Sequence, residues 1–232
     1  MMVTFLGHRM IGACIGLCLL FGAVQAVAQN SAQSLPSAQA DTPSDSNDQP
    51  QVAGTQITLT TLADYMESLD KGWIQFSQLN TDGTISTGNI LFGRPSYARI
   101  EYDPPASGLV IAESIRVAVF DLKSNSEPVF FLLATTPLYY LLRNNVRIDD
   151  SDLLVDYRVG AASSEVALRG PNKSEKILIR LAFRHDPVRL AGWTFIDQFG
   201  QQTRMIFENF VQDIVIEREM FSIQHEIERQ SR

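Results

Sequence analysis

The sequence predicts a mainly β protein: an antiparallel sheet of about eleven short strands that curls towards a barrel, with one or two amphipathic helices across its mouth. Beyond residue 72, apolar residues recur with a period of two in many short runs, which is the pattern of half-buried strands. Clusters of Gly, Pro, Asn and Asp separate the runs, and two segments have a helical period. Many short strands with few helices favour a large sheet that curves on itself.

The first element is a short helix. Thr61 followed by Asp64 resembles a capping box, and Gly72 ends the pattern. The apolar residues have the spacing of one helical face: Leu62, Tyr65, Met66 and Leu69.

Strands follow from residue 73 onward. The turn at residues 80–83 (NTDG) offers Gly83 for a positive φ and predicts that the first two strands form a hairpin. The candidate strands are 73–79, 84–92, 97–102, 109–112, 116–120, 129–133, 153–159, 165–168, 175–183, 193–197 and 202–210, with a weaker one at 220–223.

A second helix is predicted between the strands. Thr136 suits an N-cap, Pro137 suits the first helical position, and Arg143 suits the negative end of the helix dipole. Its apolar face carries three leucines: Leu138, Leu141 and Leu142.

The first 28 residues have the pattern of a secretory signal peptide. Arg9 precedes an apolar run over residues 10–24, and residues 26–28 (AVA) provide the small residues before a cleavage site. A membrane anchor is the alternative, but glycines interrupt the run and about twenty apolar residues are needed to span a bilayer. Cys14 resembles a bacterial lipid-attachment site, although its short distance from Arg9 argues against lipidation.

Residues 29–55 are rich in Ser, Gln, Asp and Pro and contain no aromatic residue, so we expect a disordered leader. Residues 56–232 have the length of one domain. Both cysteines lie in the predicted signal peptide, so the mature chain has neither a disulfide nor a thiolate nucleophile.

Charge and motif content exclude several functions. The 19 Lys and Arg residues face 26 Asp and Glu residues, giving a net charge of -7, and no two basic residues are adjacent, which argues against nucleic acid as a partner. No hydrolase, phosphate-loop or zinc-protease motif is present. We expect no cofactor and no metal site, and we interpret the acidic residues 149–152 as a solvated loop.

Arg94 ends an apolar row. Counting by two places it on the same strand face as Gly88, Ile90 and Phe92, where a guanidinium is costly unless its donors are satisfied. From spacing alone, the favoured interpretation is that Arg94 lies past the end of the strand and points to water.

Five segments together carry a family signature: 88–95 (GNILFGRP), 100–105 (IEYDPP), 109–112 (LVIA), 136–138 (TPL) with Leu141 and Leu142, and 197–204 (DQFGQQTR). In sequence, order and spacing, over most of residues 60–223, they resemble the periplasmic outer-membrane lipoprotein carrier family, LolA. The family usually has Asp-Gly where this chain has Glu113-Ser114, which leaves the type of that turn open.

The resemblance implies an incomplete β-barrel whose mouth is covered by helices and whose hydrophobic cavity holds lipoprotein acyl chains. The family's functional arginine, which hydrogen-bonds the backbone of the lid helices in the empty closed state, maps onto Arg94. Together with the alternation of the strands, the resemblance assigns six positions to the cavity wall: Trp73 or Phe76, Ile90, Phe92, Ile100, Tyr102 and Val110. Leu138, Leu141 and Leu142 are assigned to the lid face. Plain core packing remains the alternative for each of these residues.

The resemblance further implies a monomeric periplasmic chaperone with no enzyme activity. Its partners would be lipoproteins, an ATP-driven release complex in the inner membrane and a lipoprotein receptor in the outer membrane. Two alternatives stay open at this point: a carrier or receptor of another envelope lipid with the same barrel, and a hydrolase acting on envelope lipids.

Overall fold

The computed structural model describes residues 57–124, 126–144, 147–150, 152–171 and 176–231. The predicted signal peptide and the predicted leader lie outside these residues. Eleven strands form one antiparallel sheet: β1 (Lys71–Leu79), β2 (Ile85–Gly93), β3 (Tyr97–Tyr102), β4 (Gly108–Glu113), β5 (Arg116–Asp121), β6 (Val129–Leu132), β7 (Leu154–Val159), β8 (Ser163–Arg169), β9 (Leu178–His185), β10 (Val188–Ile196) and β11 (Gln202–Gln212). The helices are α1 (Leu59–Ser68), α2 (Leu138–Leu142) and α3 (Ile223–Gln230), with 3-10 turns at Leu133–Thr135 and Arg218–Phe221.

The sheet is an open barrel. The strand order is β6-β5-β4-β3-β2-β1-β11-β10-β9-β8-β7, so β6 and β7 are its two edges. Buried side chains of β3 to β5 line the same small cavity as side chains of β10 and β11, which places the two halves of the sheet face to face. The predicted incomplete antiparallel barrel of about eleven strands is confirmed.

Alternation along the strands builds the inner face. In β1 the even-numbered residues are buried and the odd-numbered ones are half-buried or exposed, as a period of two requires. Strand pairing carries this pattern across the sheet, because Ile74 lies opposite Ile90, Ile90 opposite Ile100, and Ile100 opposite Val110. The result is an apolar layer that lines the inside of the curl.

Strands β4 and β5 are buried on both faces. Their outer face carries the cluster Leu109, Ile111, Ala118 and Phe120, which is covered by Ile223 and Ile227 of α3. We call residues 218–230 the C-terminal strap. The predicted weak strand at 220–223 is wrong, because Ser222 caps a helix there by accepting the N–H of His225 at 3.2 Å, and Ile223 and Ile227 are spaced for one helical face.

Glu113 explains why the turn between β4 and β5 departs from the family pattern. Its carboxylate accepts the N–H of Ile223 at 3.1 Å, at the start of α3. Ser114 occupies the position where the family usually has Gly, and its φ of 59° lies in the left-handed region. The chain thus keeps a glycine-type turn and uses the residue before it to hold the strap.

Both predicted helices are present, with different ends. Helix α1 begins earlier than predicted, since Thr58 is its N-cap and accepts the N–H of Thr61 at 3.1 Å. Thr136 does not cap α2 with its side chain, because its Oγ1 donates to the carbonyl of Leu133 at 2.9 Å. Among the described residues, no helix has the length and apolar character needed to cross a bilayer.

Candidate functional site

The interior of the curled sheet contains an apolar cavity of about 20 Å³. Such a volume has room for about one water molecule, so the protein's own side chains fill the inside of the barrel in this structure. The cavity is lined by Gln78, Ile100, Val110, Val117, Thr136, Pro137, Leu138, Trp193, Phe195, Thr203 and Met205.

Six of the predicted wall residues lie together on the inner face. They are all buried: Phe76, Ile90, Phe92, Ile100, Tyr102 and Val110. The rings of Phe76 and Tyr102 meet edge to face with centroids 5.4 Å apart, and the Tyr102 hydroxyl donates to Gln78 Oε1 at 2.9 Å. Gly88 makes this packing possible, because a Cβ there would come within 2.9 Å of the Phe76 ring.

Trp73 does not belong to this group. It is half-buried and lies on the outer face of β1, opposite Leu91 and Val211. Because Trp73 and Phe76 are three residues apart on one strand, they point to opposite faces. Of the two residues assigned to that position, the structure places Phe76 on the inside, and Trp73 is corrected to the outer surface.

The second half of the barrel contributes wall residues that the sequence analysis missed. Trp193, Phe195 and Met205 line the cavity, and Phe207 packs edge to face against Trp193 with centroids 5.0 Å apart. The signal was present in the alternation of Thr203, Met205 and Phe207, which are all buried on β11.

The mouth of the barrel is covered by residues 133–142, which we call the lid segment. It joins edge strand β6 to the connection that leads to edge strand β7. Leu138, Leu141 and Leu142 are all buried, and Leu138 lines the cavity together with Ile100 and Val110. The three predicted leucines therefore lie inside the mouth of the barrel.

Arg94 connects the lid segment to α1. Its Nε donates to the carbonyl of Leu141 at 2.7 Å, and its Nη1 contacts the carbonyl of Glu67 at 3.5 Å. Both carbonyls belong to the last turns of their helices, where no intrahelical N–H is available. The solvent-facing interpretation from spacing alone is wrong, and one guanidinium here serves two helix ends.

The surroundings of Arg94 hold it in place. The backbone N–H of Arg94 donates to the carbonyl of Asp70 at 2.7 Å, and the backbone N–H of Ser96 donates to the carbonyl of Leu142 at 3.1 Å. Burial lowers the pKa of Arg94 from its ordinary value, while the nearby charges of Glu67 and Asp70 oppose that shift. A guanidinium in such a position stays cationic at neutral pH.

Arg147 makes a second connection that the sequence analysis did not identify. It lies beyond the lid segment and contacts two carboxylates of α1, Asp64 at 3.2 Å and Glu67 at 3.1 Å. It also forms a two-pronged pair with Asp149 at 2.8 Å. Hydrogen bonds from Arg147 lower the pKa of Asp149. One of the acidic residues interpreted as a solvated loop is thus part of an ion network.

Tyr140 fixes the lid segment to the other half of the barrel. It is buried, and its hydroxyl donates to the carbonyl of Arg169 at the end of β8. Burial raises the pKa of Tyr140, with a smaller contribution from Tyr139. Its neighbour Tyr139 is half-buried, and the two rings meet edge to face with centroids 5.3 Å apart.

The described part of the chain contains no group of three His, Cys, Asp or Glu side chains placed to hold a metal ion. The candidate site is an apolar interior with a helical cover, which Arg94 links to α1, while Arg147 contacts α1 just beyond the cover. Its chemistry suits the enclosure of an apolar ligand.

Fold and site define a class: a small antiparallel β protein that closes an apolar interior with helical segments. Residues 68–224 match the family described as outer membrane lipoprotein carrier protein LolA. The chain belongs to this family, whose members are carriers and not enzymes. A curated relative, an outer-membrane lipoprotein carrier protein of Leptothrix cholodnii, is 27% identical over 160 residues, which cover 66% of this chain and 74% of that protein.

Two solved structures are also similar. A LolA superfamily protein from Nitrosomonas europaea is 11% identical with a TM-score of 0.42, over 73% of this chain and 99% of that one. An uncharacterized conserved protein from Thermus thermophilus is 10% identical with a TM-score of 0.43, over 70% of this chain and 90% of that one.

Proposed function

We propose that this protein is a periplasmic lipoprotein chaperone. It receives lipoproteins from an ATP-driven release complex of the inner membrane, encloses their acyl chains, and delivers them to a lipoprotein receptor of the outer membrane. The observation that carries the proposal is the hydrogen bond from Arg94 to the carbonyl of Leu141, above an apolar interior that the protein's own side chains fill.

The size of the hydrophobic effect explains why a carrier is needed. A sixteen-carbon acyl chain exposed to water costs roughly 12 kcal/mol, at about 0.8 kcal/mol per methylene. Free passage of such a chain through an aqueous compartment is excluded by that magnitude. A protein cavity that takes the chain out of water removes the cost.

The same magnitude makes release a problem. Burial worth about 12 kcal/mol already corresponds to nanomolar affinity, and a cavity that stood open would hold its cargo too well. A lid segment that buries its own leucines in the empty barrel lowers the net affinity, because the closed form must be disrupted before cargo enters. Leu138, Leu141 and Leu142 have this role in the proposal.

Arg94 has the role of a latch. It satisfies the carbonyl of Leu141 in the closed form, and opening exposes that carbonyl to water, which can replace the guanidinium. The acyl chains then take the place of the leucines against the inner wall formed by Phe76, Ile90, Phe92, Ile100, Tyr102 and Val110. The cargo leaves when an acceptor offers slightly better burial.

The direct test is release from membranes. The protein is incubated with inner-membrane vesicles, ATP and the release complex, and the soluble fraction is examined for lipoproteins bound to this chain. Lipoproteins that appear in solution only with both the protein and ATP support the proposal. If none is released, or if mass spectrometry of the purified protein finds a different envelope lipid, the chain carries another cargo.

A variant pair tests the lid segment. Leu141→Glu places a carboxylate at a buried lid position, and we expect it to abolish lipoprotein loading while the sheet remains folded. Val215→Glu is the matched control, because Val215 is 94% exposed. Equal loading of the two variants would show that this helix face is not the lid.

A further inference from the structure

The outer face of the sheet carries a large groove on the half formed by β8 to β11. Its volume is about 1140 Å³, and its walls come from β8 to β11 and from the β1–β2 turn. Trp193 and Met205 line both this groove and the inner cavity. Arg180, Thr194 and Arg204 lie in one row across β9, β10 and β11. Arg184 lies four residues further along β9 on the same face, near the β9–β10 turn.

Small residues form the floor between these arginines. Gly192 lies opposite Ala182 on one side and Ile206 on the other. A Cβ at Gly192 would reach within 3.1 Å of the Ile206 Cα, and its φ of 146° is one that favours glycine. The groove thus forms because Gly192 and Ala182 leave open space between the long side chains of the arginines.

The charge of the groove is opposite to that of the whole chain. Arg180 lies 3.7 Å from Glu165, whereas Arg184 and Arg204 are exposed and form no ion pair with any described residue. The net charge of the protein is -7. Guanidinium groups with free donors fit phosphate and carboxylate oxygens, so this groove suits an anionic partner.

Exposed apolar side chains lie beside the arginines at one end of the sheet. Leu79 pairs with both Ile85 and Arg204, which brings the β1–β2 and β10–β11 turns side by side. Ile85 is 71% exposed and Phe199, in the second turn, is 66% exposed. The turns are ordered, since Asp197 Oδ1 accepts the N–H groups of Phe199 and Gln201 at 2.8 and 2.9 Å.

We propose that this end of the sheet binds the surface of a membrane containing anionic phospholipids. Lipid phosphates are bound by Arg180 and Arg204 at this end and by Arg184 further along the groove. Ile85 and Phe199 enter the interface, where apolar rings and chains are favoured. Arginines alone would suit an acidic protein as well, but the adjacent apolar turn residues favour a lipid surface. This goes beyond the proposed carrier role, because the β1–β2 turn lies at the opposite end of β2 from Arg94.

The experiment is vesicle flotation with the full chain. Phosphatidylethanolamine vesicles with phosphatidylglycerol are compared with phosphatidylethanolamine vesicles alone, at low and high salt. We expect binding that requires phosphatidylglycerol and weakens with salt, and each of Arg184→Gln and Arg204→Gln should weaken it about fivefold, because a basic residue near an anionic surface contributes about that factor. Phe199→Ser should weaken binding at both salt concentrations.

Arg158→Gln is the matched control, since Arg158 is an exposed arginine of β7 outside the groove, and it should bind as the wild type does. Equal binding to both vesicle types, or arginine variants that bind like the wild type, would overturn the proposal. Binding to poly-glutamate but not to vesicles would also overturn it and would indicate an acidic protein partner. The groove variants should load lipoproteins normally, so a negative result here leaves the carrier proposal intact.

Discussion

The lid segment and the C-terminal strap are both short helical segments packed on the sheet, but they are attached differently. The strap covers an apolar cluster on the outer face and is joined to the sheet by carboxylates: Glu226 contacts Arg99 at 3.4 Å, and Glu113 accepts the N–H of Ile223 at 3.1 Å. The lid segment packs leucines into the inner cavity and is held by hydrogen bonds to backbone carbonyls, from Arg94 above all. When the lid segment opens, water can hydrate the carbonyls that it releases. When the strap leaves the sheet, the apolar cluster of β4 and β5 is exposed to water, which is unfavourable.

The difference teaches which attachment is reversible. Removing the strap would expose the apolar cluster that Ile223 and Ile227 cover, and buried apolar area is the main source of stability, so we expect the strap to stay on the sheet when the lid segment opens. The guanidinium of Arg94 loses about as much solvation on burial as it gains in hydrogen bonds, which leaves the closed lid only slightly favoured. Four substitutions test this comparison.

The largest expected effect is on the strap side. Phe120→Ala empties a buried position under α3 and should lower the free energy of unfolding by about 3–5 kcal/mol, measured by denaturant titration. Its acyl-chain affinity should equal that of the wild type. A change in affinity as large as that caused by a lid variant would show that the two regions are coupled.

Glu226→Gln should come next, with a loss of about 1–3 kcal/mol, because it removes the carboxylate that pairs with Arg229 and one of the two that contact the largely buried Arg99, the other being Glu101. Burial raises the pKa of Glu226, but hydrogen bonds from Arg229 and Gln230 and the charge of Arg99 outweigh it, so its pKa lies below the ordinary 4.5. A carboxylate whose pKa is lowered by folding stabilises the folded state at pH values above its pKa in the unfolded chain. That stabilisation is lost as the pH falls through the pKa of the folded state. The difference between wild type and variant should therefore be full above pH 4.5 and shrink below it; a pH-independent difference would contradict the ion-pair account.

Arg94→Leu should change binding more than stability. Without the guanidinium the closed form is less favourable, so acyl-chain affinity should rise about tenfold, the equivalent of about 1.4 kcal/mol. Hand-over to the acceptor should slow accordingly in a transfer assay. Arg94→Lys keeps the positive charge but lacks the forked donors of a guanidinium, so its acyl-chain affinity should lie between those of the wild type and Arg94→Leu. Transfer rates equal to the wild-type rate for both variants would refute the role of Arg94 as a latch.

Tyr140→Phe should have the smallest effect. It removes one hydrogen bond to the carbonyl of Arg169, worth about 1 kcal/mol, and should tighten acyl binding about fivefold without changing the fold. Tyr139→Phe is the matched control, since the Tyr139 hydroxyl makes no hydrogen bond to a described residue. Equal affinities for the two variants would place the Tyr140 bond outside the lid equilibrium.

Periodicity predicted what depends on local pattern. The strands and the burial of Phe76, Ile90 and Phe92 follow from alternation, and α1 follows from its apolar face. The pattern does not decide between Trp73 and Phe76 for one wall position, although the two residues lie three apart on β1 and so point to opposite faces of the sheet. The wall residues Trp193 and Met205 follow the same alternation, but alternation alone does not say which face of a strand lines the inside of the barrel.

Long-range contacts could not be predicted from pattern. Arg94 ends an apolar row, and nothing near it in sequence provides Leu141, which lies 47 residues away. Arg147 meets Asp64 across 83 residues. The short, mostly apolar run from Met220 to Ile223 predicts a weak strand, because such a run does not distinguish a strand from the start of a helix unless its partner surface is known.

The free outer edges of β6 and β7 have a consequence for the size of the interior. The girth of a closed barrel is set by its strand number and stagger, so every pair of neighbours must stay joined and the bore is fixed. Here a seam runs between two free edges, bridged by a connection that is not a strand. This seam can widen without breaking a hydrogen bond between paired strands. Under the proposed carrier role, the same sheet can therefore enclose acyl chains that differ in number or length.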